Sequence, residues 1–434
     1  MLRFLLFALL PIFLSGCLGM SVESGSDEVE PTPDLVMVRP PYPRDFNIDN
    51  ISISEDGNTF LGWRMYEGVS LLRSDDYSTI EKFYEKDESQ LNFGGGTGAP
   101  TGDIKGAGFF DHNTWYFGVV PEDKNDMNIR CPSHFEKINV HIRSIQPSRE
   151  IAKYSYCWRN GDKFIANKNY FVIVSDGDSH DNVTLVDWRT GAHHSLSMPA
   201  FLYESGFMWV RRFHNPFTLT DSGRILAKDV YKNGYGWFIF DPFTQQKLLF
   251  DPSAQKKEWQ EIEAVISPNE RYVIDLWESR CRLRKFPSRE IAPLNDKEIV
   301  GYCSDKLSKP KQWEGEYEIA FSPDGKYFVF AFKRNFRVYR VEPFQLEFEG
   351  RTTGNILTVK LSENGMFAAG DSRGFVRVWD VMKKQVIGQH RFYDPGDEDK
   401  RYSLLSVLFH PNDEKLYIFY DYLNVFQLPK RATE

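Results

Sequence analysis

The chain has 434 residues, 41% of them hydrophobic and 15% aromatic, enough apolar material for a large core. Its formal net charge is −8, which argues against a nucleic-acid partner, since such proteins present a basic surface. The 35 Phe, 21 Tyr and 10 Trp favour pleated, half-buried surfaces over long helices.

In chain order, Arg3 is followed by an almost unbroken apolar run from Phe4 to Leu14, ending in Leu14-Ser15-Gly16-Cys17. The run is too short to span a bilayer and fits an export signal with small residues at its cleavage zone. An ordinary cleaved signal and an N-terminal anchor are the alternatives. A cysteine directly after Leu-Ser-Gly resembles the lipobox of bacterial lipoproteins. That resemblance implies that residues 1–16 are a signal peptide and that Cys17 carries the lipid. Residues 17–34, with Glu23, Asp27, Glu28, Glu30, Pro31 and Pro33, are acidic and poor in large apolar groups, as expected of a flexible tether. Leu18 rather than Asp follows the cysteine, which in enteric-type bacteria implies the outer membrane, with the domain facing the periplasm.

From residue 35 to 429 the sequence repeats one pattern: an apolar strand, a Ser/Pro/Asp/Asn/Gly turn, a second apolar strand, then a third alternating one. Successive copies begin at Ile51, Gly108, Phe164, Phe217, Ala264, Ile319, Val359 and Val407. The last three are the clearest: Ser322-Pro-Asp-Gly-Lys-Tyr327, Val376-Arg-Val-Trp-Asp380, and Val407 to Tyr420. The spacing is close to or above the period of about 40–45 residues found for four-stranded blades. These motifs resemble WD40 repeats, and the resemblance implies a single all-β propeller, eight-bladed on this count and seven-bladed on the alternative. The last copy has three strands before the short tail 430–434. Leu35-Val-Met-Val-Arg39 is apolar and unassigned, so it is expected to complete the last blade and close the ring.

In a WD40-like blade with strands a to d, b–c turns and d-to-a connections share one face. The long segments Glu85–Asp103, Pro121–Lys137, Met198–Asn215, Pro293–Gly315 and Arg391–Ser403 are all expected to be such connections, gathering the insertions on one face, where binding surfaces often form. Cys131, Cys157, Cys281 and Cys303 make an even set in an exported chain, so disulfides are expected. Cys131 and Cys281 lie at b–c turns, and Cys157 and Cys303 are placed in the connections leaving the same units. The expected pairs are therefore Cys131–Cys157 and Cys281–Cys303.

Few motifs carry chemistry. Gly370-Asp-Ser372-Arg-Gly374 has the nucleophile-elbow pattern, but a strand rather than a helix follows, so a b–c hairpin is expected. Asp176 to Asn182 packs carboxylates at short spacing but has no glycine at the sharp-turn position of a calcium loop and no glutamate closing it. Cys131, His134 and His141 lack a second cysteine pair for zinc, and His193-His194 alternate faces on one strand. No metal, cofactor or catalytic residue is expected. Phe207, Trp209, Arg211 and Arg212 form the most contact-like segment, Trp and Arg being enriched at interface hot spots. The expected function is a membrane-anchored, non-enzymatic scaffold that binds an envelope protein, with envelope assembly as the analogy that the lipoprotein and propeller resemblances together suggest. The alternative is a propeller that acts on or binds a small molecule or a glycan.

Overall fold

The structure, a computed structural model, describes residues 33–39, 50–64, 68–83, 104–120, 131, 136–158, 163–175, 180–199, 217–231, 234–244, 246–250, 264–277, 280–285, 299–303, 317–392, 406–420 and 422–429. Its strands form eight four-stranded antiparallel sheets, each a blade. After β1 (Val36–Arg39), blade 1 holds β2 (Asn50–Ile53), β3 (Thr59–Arg64), β4 (Gly68–Arg73) and β5 (Thr79–Phe83). Blade 2 holds β6 (Ile104–Phe109), β7 (Thr114–Val119), β8 (Glu136–Ser144) and β9 (Arg149–Trp158). Blade 3 holds β10 (Lys163–Ala166), β11 (Tyr170–Ser175), β12 (His180–Asp187) and β13 (His193–Pro199). Blade 4 holds β14 (Phe217–Leu219), β15 (Ile225–Tyr231), β16 (Gly234–Asp241) and β17 (Gln246–Phe250). Blade 5 holds β18 (Ala264–Ile266), β19 (Tyr272–Trp277), β20 (Arg280–Lys285) and β21 (Ile299–Cys303). Blade 6 holds β22 (Tyr317–Phe321), β23 (Tyr327–Phe332), β24 (Asn335–Arg340) and β25 (Gln345–Arg351). Blade 7 holds β26 (Ile356–Leu361), β27 (Met366–Asp371), β28 (Phe375–Asp380) and β29 (Gln385–Arg391). Blade 8 holds β30 (Ser406–Phe409), β31 (Lys415–Tyr420) and β32 (Tyr422–Gln427), with β1 as its outer strand. The eight repeats read from the sequence are thus eight blades.

Closure is as expected and has an additional element. β1 pairs antiparallel with β32, Val36 opposite Gln427 and Met37 opposite Phe426. Just before it, Asp34 bridges Gln389 of β29 in parallel: Leu35 N donates to Gln389 O at 2.7 Å, and Gln389 N donates to Pro33 O at 3.0 Å. Leu35 is buried among Val376, Val378, Leu416 and Phe426, between blades 7 and 8. A Cβ on Gly388 would lie 2.4 Å from Leu35 Cδ2, so the absent side chain leaves the space Leu35 fills. Burying a leucine of this kind stabilises by about 2 kcal/mol.

The apolar faces of neighbouring blades form the core. Leu61 and Leu71 of blade 1 meet Trp115 and Phe117 of blade 2. Phe336 and Val338 of blade 6 meet Phe367 and Trp379 of blade 7. At the closing interface, Phe60 of blade 1 sits edge-on to Tyr417 of blade 8 with ring centroids 4.4 Å apart, a geometry worth about 1 kcal/mol beyond area burial.

The a–b turns are built alike from local polar chemistry. The hydroxyls of Ser54, Ser267, Ser322 and Ser362 accept the backbone N–H of Thr59, Tyr272, Tyr327 and Met366 at 2.9 to 3.0 Å. Such side-chain bonds offer the chain a turn in place of continued ladder. The turns also link one blade to the next. Asn169 Nδ2 donates to Asp221 O at 2.8 Å, Ser222 Oγ to Glu270 Oε2 at 2.7 Å, and Asn269 Nδ2 to Asp324 O at 3.1 Å. Ser362 Oγ donates to Asp413 Oδ2 at 2.8 Å. His410 Nδ1 accepts from Asn412 N, which leaves Nε2 to donate to Gly57 O at 3.1 Å, joining blade 8 to blade 1.

Three expectations need correction. Pro293–Gly315 is not one d–a connection, because it contains β21. Residues 286–298 therefore join strand c to strand d, and this insertion belongs to the a–b/c–d side. The cause is the weak signal of an outer strand: Ile299-Val-Gly-Tyr-Cys303 is short and interrupted by glycine. Cys157 and Cys303 lie inside outer strands, not in the connections after them. Several other long segments overlap strand ends, at Glu136, Met198 and Arg391.

Gly57 (φ +73°) tests the closing link, because an added Cβ would lie 2.3 Å from His410 Nε2. Gly365 is also at positive φ, +79°, but its nearest neighbour, in Tyr327, would be 3.8 Å away. Gly365→Ala should cost only the left-handed backbone strain, about 1–2 kcal/mol. Gly57→Ala should cost that plus the displaced histidine and so lower the thermal unfolding midpoint further; equal midpoints for the two variants would contradict the closing role of His410.

Candidate docking platform on blades 6 and 7

On the side where b–c turns and d–a connections meet, three short segments are laced together. They are the β23–β24 turn at Lys333-Arg334, the connection Thr352–Asn355 between blades 6 and 7, and the β27–β28 turn Ser372–Gly374. Thr352 N donates to Arg334 O at 2.8 Å and Ile356 N to Lys333 O at 2.6 Å, which ties the first to the second. Asn355 N donates to Ser372 Oγ at 2.9 Å, and Ser372 N to Asn355 O at 2.7 Å, which ties the second to the third.

Asp371 sits beneath them with 1% of its surface exposed. Its Oδ2 accepts Thr353 Oγ1 at 2.7 Å and Gly354 N at 2.9 Å. Its Oδ1 accepts Arg373 N at 2.9 Å and Phe375 N at 3.2 Å. Four donors spend the carboxylate inward, which is the condition for burying a charge without large cost. Gly354 must be glycine: a Cβ there would lie 2.8 Å from Arg373 N.

The platform carries a concentration of cations on an acidic protein. Lys333, Arg351 and Arg373 are exposed, and Arg334, Arg377 and Arg391 are half-buried. Arg351 stands opposite Asn335 at the end of β25, and Arg391 opposite Phe375 at the equivalent end of β29. The guanidinium carbons of Arg377 and Arg391 each lie 5.0 Å from the centroid of the Phe375 ring, and Lys333 Nζ lies 5.4 Å from that of Phe332. Such contacts hold long side chains in place. Arg377 Nε also donates to Gln389 Oε1 at 3.1 Å. Burial lowers its pKa from the ordinary value and the Asp371 carboxylate opposes that shift; a guanidinium stays charged across the physiological range.

Of the residues singled out in the sequence, Cys131 and Cys157 form a disulfide with Cα atoms 5.4 Å apart. It ties the connection before β8 to the end of β9, at the b–c side of blade 2. Cys281 and Cys303 are register partners across β20 and β21. Cys17, Phe207, Trp209, Arg211 and Arg212 lie outside the described residues, as do residues 176–179 and His134. Gly370–Gly374 is a strand-to-strand hairpin, as expected. Cys131 is committed to its disulfide and His141 Nδ1 to Glu150 Oε2 at 2.6 Å, so the structure does not bring them together for zinc. His194 of β13 packs edge-on to Phe243, 4.8 Å away. Among the described residues no three His, Cys, Asp or Glu gather as a metal-ligand group.

The sequence reading missed the platform. Its cations come from segments far apart in the chain, but Arg351 and Arg391 stand one blade period apart, as do Arg334 and Arg373. Aligning the repeats by strand position would have stacked them.

Asp371→Ala should leave buried donors unanswered and lower stability by about 3 kcal/mol. Hydrogen exchange gives the specific readout: the amides of Gly354, Arg373 and Phe375 should lose protection while those of the distant Ser54 turn keep theirs. Uniform loss would make Asp371 a general core residue, not the platform's tie.

The architecture matches solved structures. The C-terminal WD40 domain of Sif2 aligns with a TM-score of 0.58 at 9% identity, over 92% of this chain and 99% of that one. The computationally designed Ika8 protein aligns at 0.55 and 12% identity, over 91% and 100%. Sqt1 of Saccharomyces cerevisiae aligns at 0.55 and 9% identity, over 92% and 99%. No protein-family model and no curated protein matches the chain. At these identities the likeness concerns the fold alone, and the fold is a WD40-like β-propeller.

Proposed function

We propose that this protein is a lipid-anchored lipoprotein of the bacterial envelope whose propeller is a non-enzymatic scaffold for docking another envelope protein, with envelope assembly as its setting. In this reading residues 1–16 are removed and Cys17 carries the lipid. Residues 17–34 tether the propeller, residues 35–429, to the periplasmic face of the outer membrane. The observation that carries the docking role is the laced platform on blades 6 and 7. Its backbone is fixed by hydrogen bonds before any partner arrives, so binding need not order it, and that lowers the cost of association. The export reading draws support from Cys131–Cys157, since disulfides persist in oxidising compartments. The register of Cys281 and Cys303 supports a second disulfide at the corresponding corner of blade 5. Two such bonds would each hold a strand-c entrance to a strand-d end, restraining the unfolded chain as well as the loops.

Three measurements test this reading. Cys17→Ala should give a precursor that is neither lipidated nor membrane-bound; normal membrane association of that variant would refute the anchor. Intact mass with and without reductant, after thiol alkylation, should count two disulfides, and alkylated Cys281 and Cys303 in the unreduced protein would refute the second. Crosslinked pull-down of the full chain from envelope membranes should recover a protein partner. Removing residues 199–215, the segment with Phe207, Trp209, Arg211 and Arg212, should weaken that recovery; unchanged recovery would take this segment out of the interface.

A further inference from the structure

We propose that the cation platform of blades 6 and 7 binds a carboxylate-rich polypeptide segment of the docking partner. This inference rests on the docking reading and names the partner's chemistry.

The first support is charge placement. The formal net charge is −8, yet Lys333, Arg334, Arg351, Arg373, Arg377 and Arg391 gather at the b–c/d–a end of two adjacent blades. Within segments 333–335, 351–355 and 371–375 the one acidic residue is Asp371, and its carboxylate is consumed from below by four donors. The upper side therefore carries these cations on a backbone already fixed by hydrogen bonds.

The second support is the choice of cation. Five of the six are arginines, whose planar fork matches carboxylates in a bidentate way that a lysine ammonium cannot. Two of them pack on the Phe375 ring, so little side-chain freedom remains to be lost on binding.

The third is extent. The cations span two blades, so a string of carboxylates can engage several at once, and linked contacts reinforce one another where a single small anion gains one. A long polyanion such as nucleic acid or an anionic bilayer would also face the negative charge of the rest of the molecule. A short acidic segment lies within the platform, and more distant charge is screened beyond about 8 Å at physiological salt. Interfacial charge complementarity of this kind sets specificity and association rate.

Poly-L-glutamate is the probe. Binding to the full-length protein is measured by fluorescence anisotropy at low and at physiological salt, beside a single-stranded oligothymidylate and phosphatidylglycerol vesicles. The double variant Arg351→Glu/Arg373→Glu changes two exposed side chains whose backbone bonds are retained. The control Lys383→Glu/Lys384→Glu makes the same charge change at the β28–β29 turn, on the opposite side of blade 7. The expected result is polyglutamate binding that weakens with salt, falls at least about tenfold in the platform variant and less than about twofold in the control. Equal losses in the two variants would reduce the effect to net charge and overturn the proposal. So would tighter platform-dependent binding of the oligonucleotide or the vesicles. The envelope pull-down separates the two levels. Recovery of a partner unaffected by Arg351→Glu/Arg373→Glu refutes the acidic-segment inference and leaves the scaffold standing, whereas no recoverable partner refutes the scaffold itself.

Discussion

The whole ring depends on one strand pairing, that of β1 with β32. A propeller blade stands only because both of its faces are covered by neighbours, and the last blade lacks an outer strand until the start of the chain supplies it. The pairing joins residues at opposite ends of the sequence, so its loop-closure entropy is the largest in the fold. The molecule compensates at several points close together. Leu35 fills the space left by Gly388, Asp34 bridges β29, and Phe60, Tyr417 and His410 lock blade 8 to blade 1. Closure is thus shared by three blades rather than carried by a single hairpin.

With the ring closed, its two sides have different characters. The a–b turns are short loops closed by polar side chains, serines in four blades, and several of them bond to the turn of the next blade. The b–c and d–a side instead holds long connections, the Cys131–Cys157 bond and the arginine platform. Blade 5 breaks the strict division, since thirteen residues of sequence separate its strands c and d, β20 and β21. The tight a–b turns follow from topology, since an inner hairpin packed close to its neighbours has little room to grow, whereas the d–a connections range from the four residues of Thr352–Asn355 to much longer stretches of sequence.

The sequence was legible where burial and turn chemistry coincide. Ser322-Pro-Asp-Gly325 and Val376 to Asp380 name their turns and strands directly, because an alternating run feeds a residue set that can form only a few turns. The same logic found β1, whose apolar residues had no other place. Outer strands were harder. β21 is short and interrupted by Gly301, so its pairing with β20 rather than its own pattern makes it a strand. The platform was hidden for a different reason. Its residues are ordinary surface arginines one by one, and only the repeat geometry brings Arg351, Arg373 and Arg391 to one place. Composition drew attention instead to Phe207, Trp209, Arg211 and Arg212, where aromatic and cationic residues are contiguous.

The parallel bridge between Asp34 and Gln389 also fixes a direction. β29 runs from the c–d turn towards the b–c/d–a side, so Pro33 to Leu35 run the same way before the chain enters β1. A load applied along β1 is borne by the rungs of its ladder to β32 together, in shear, instead of opening them one after another like a zip.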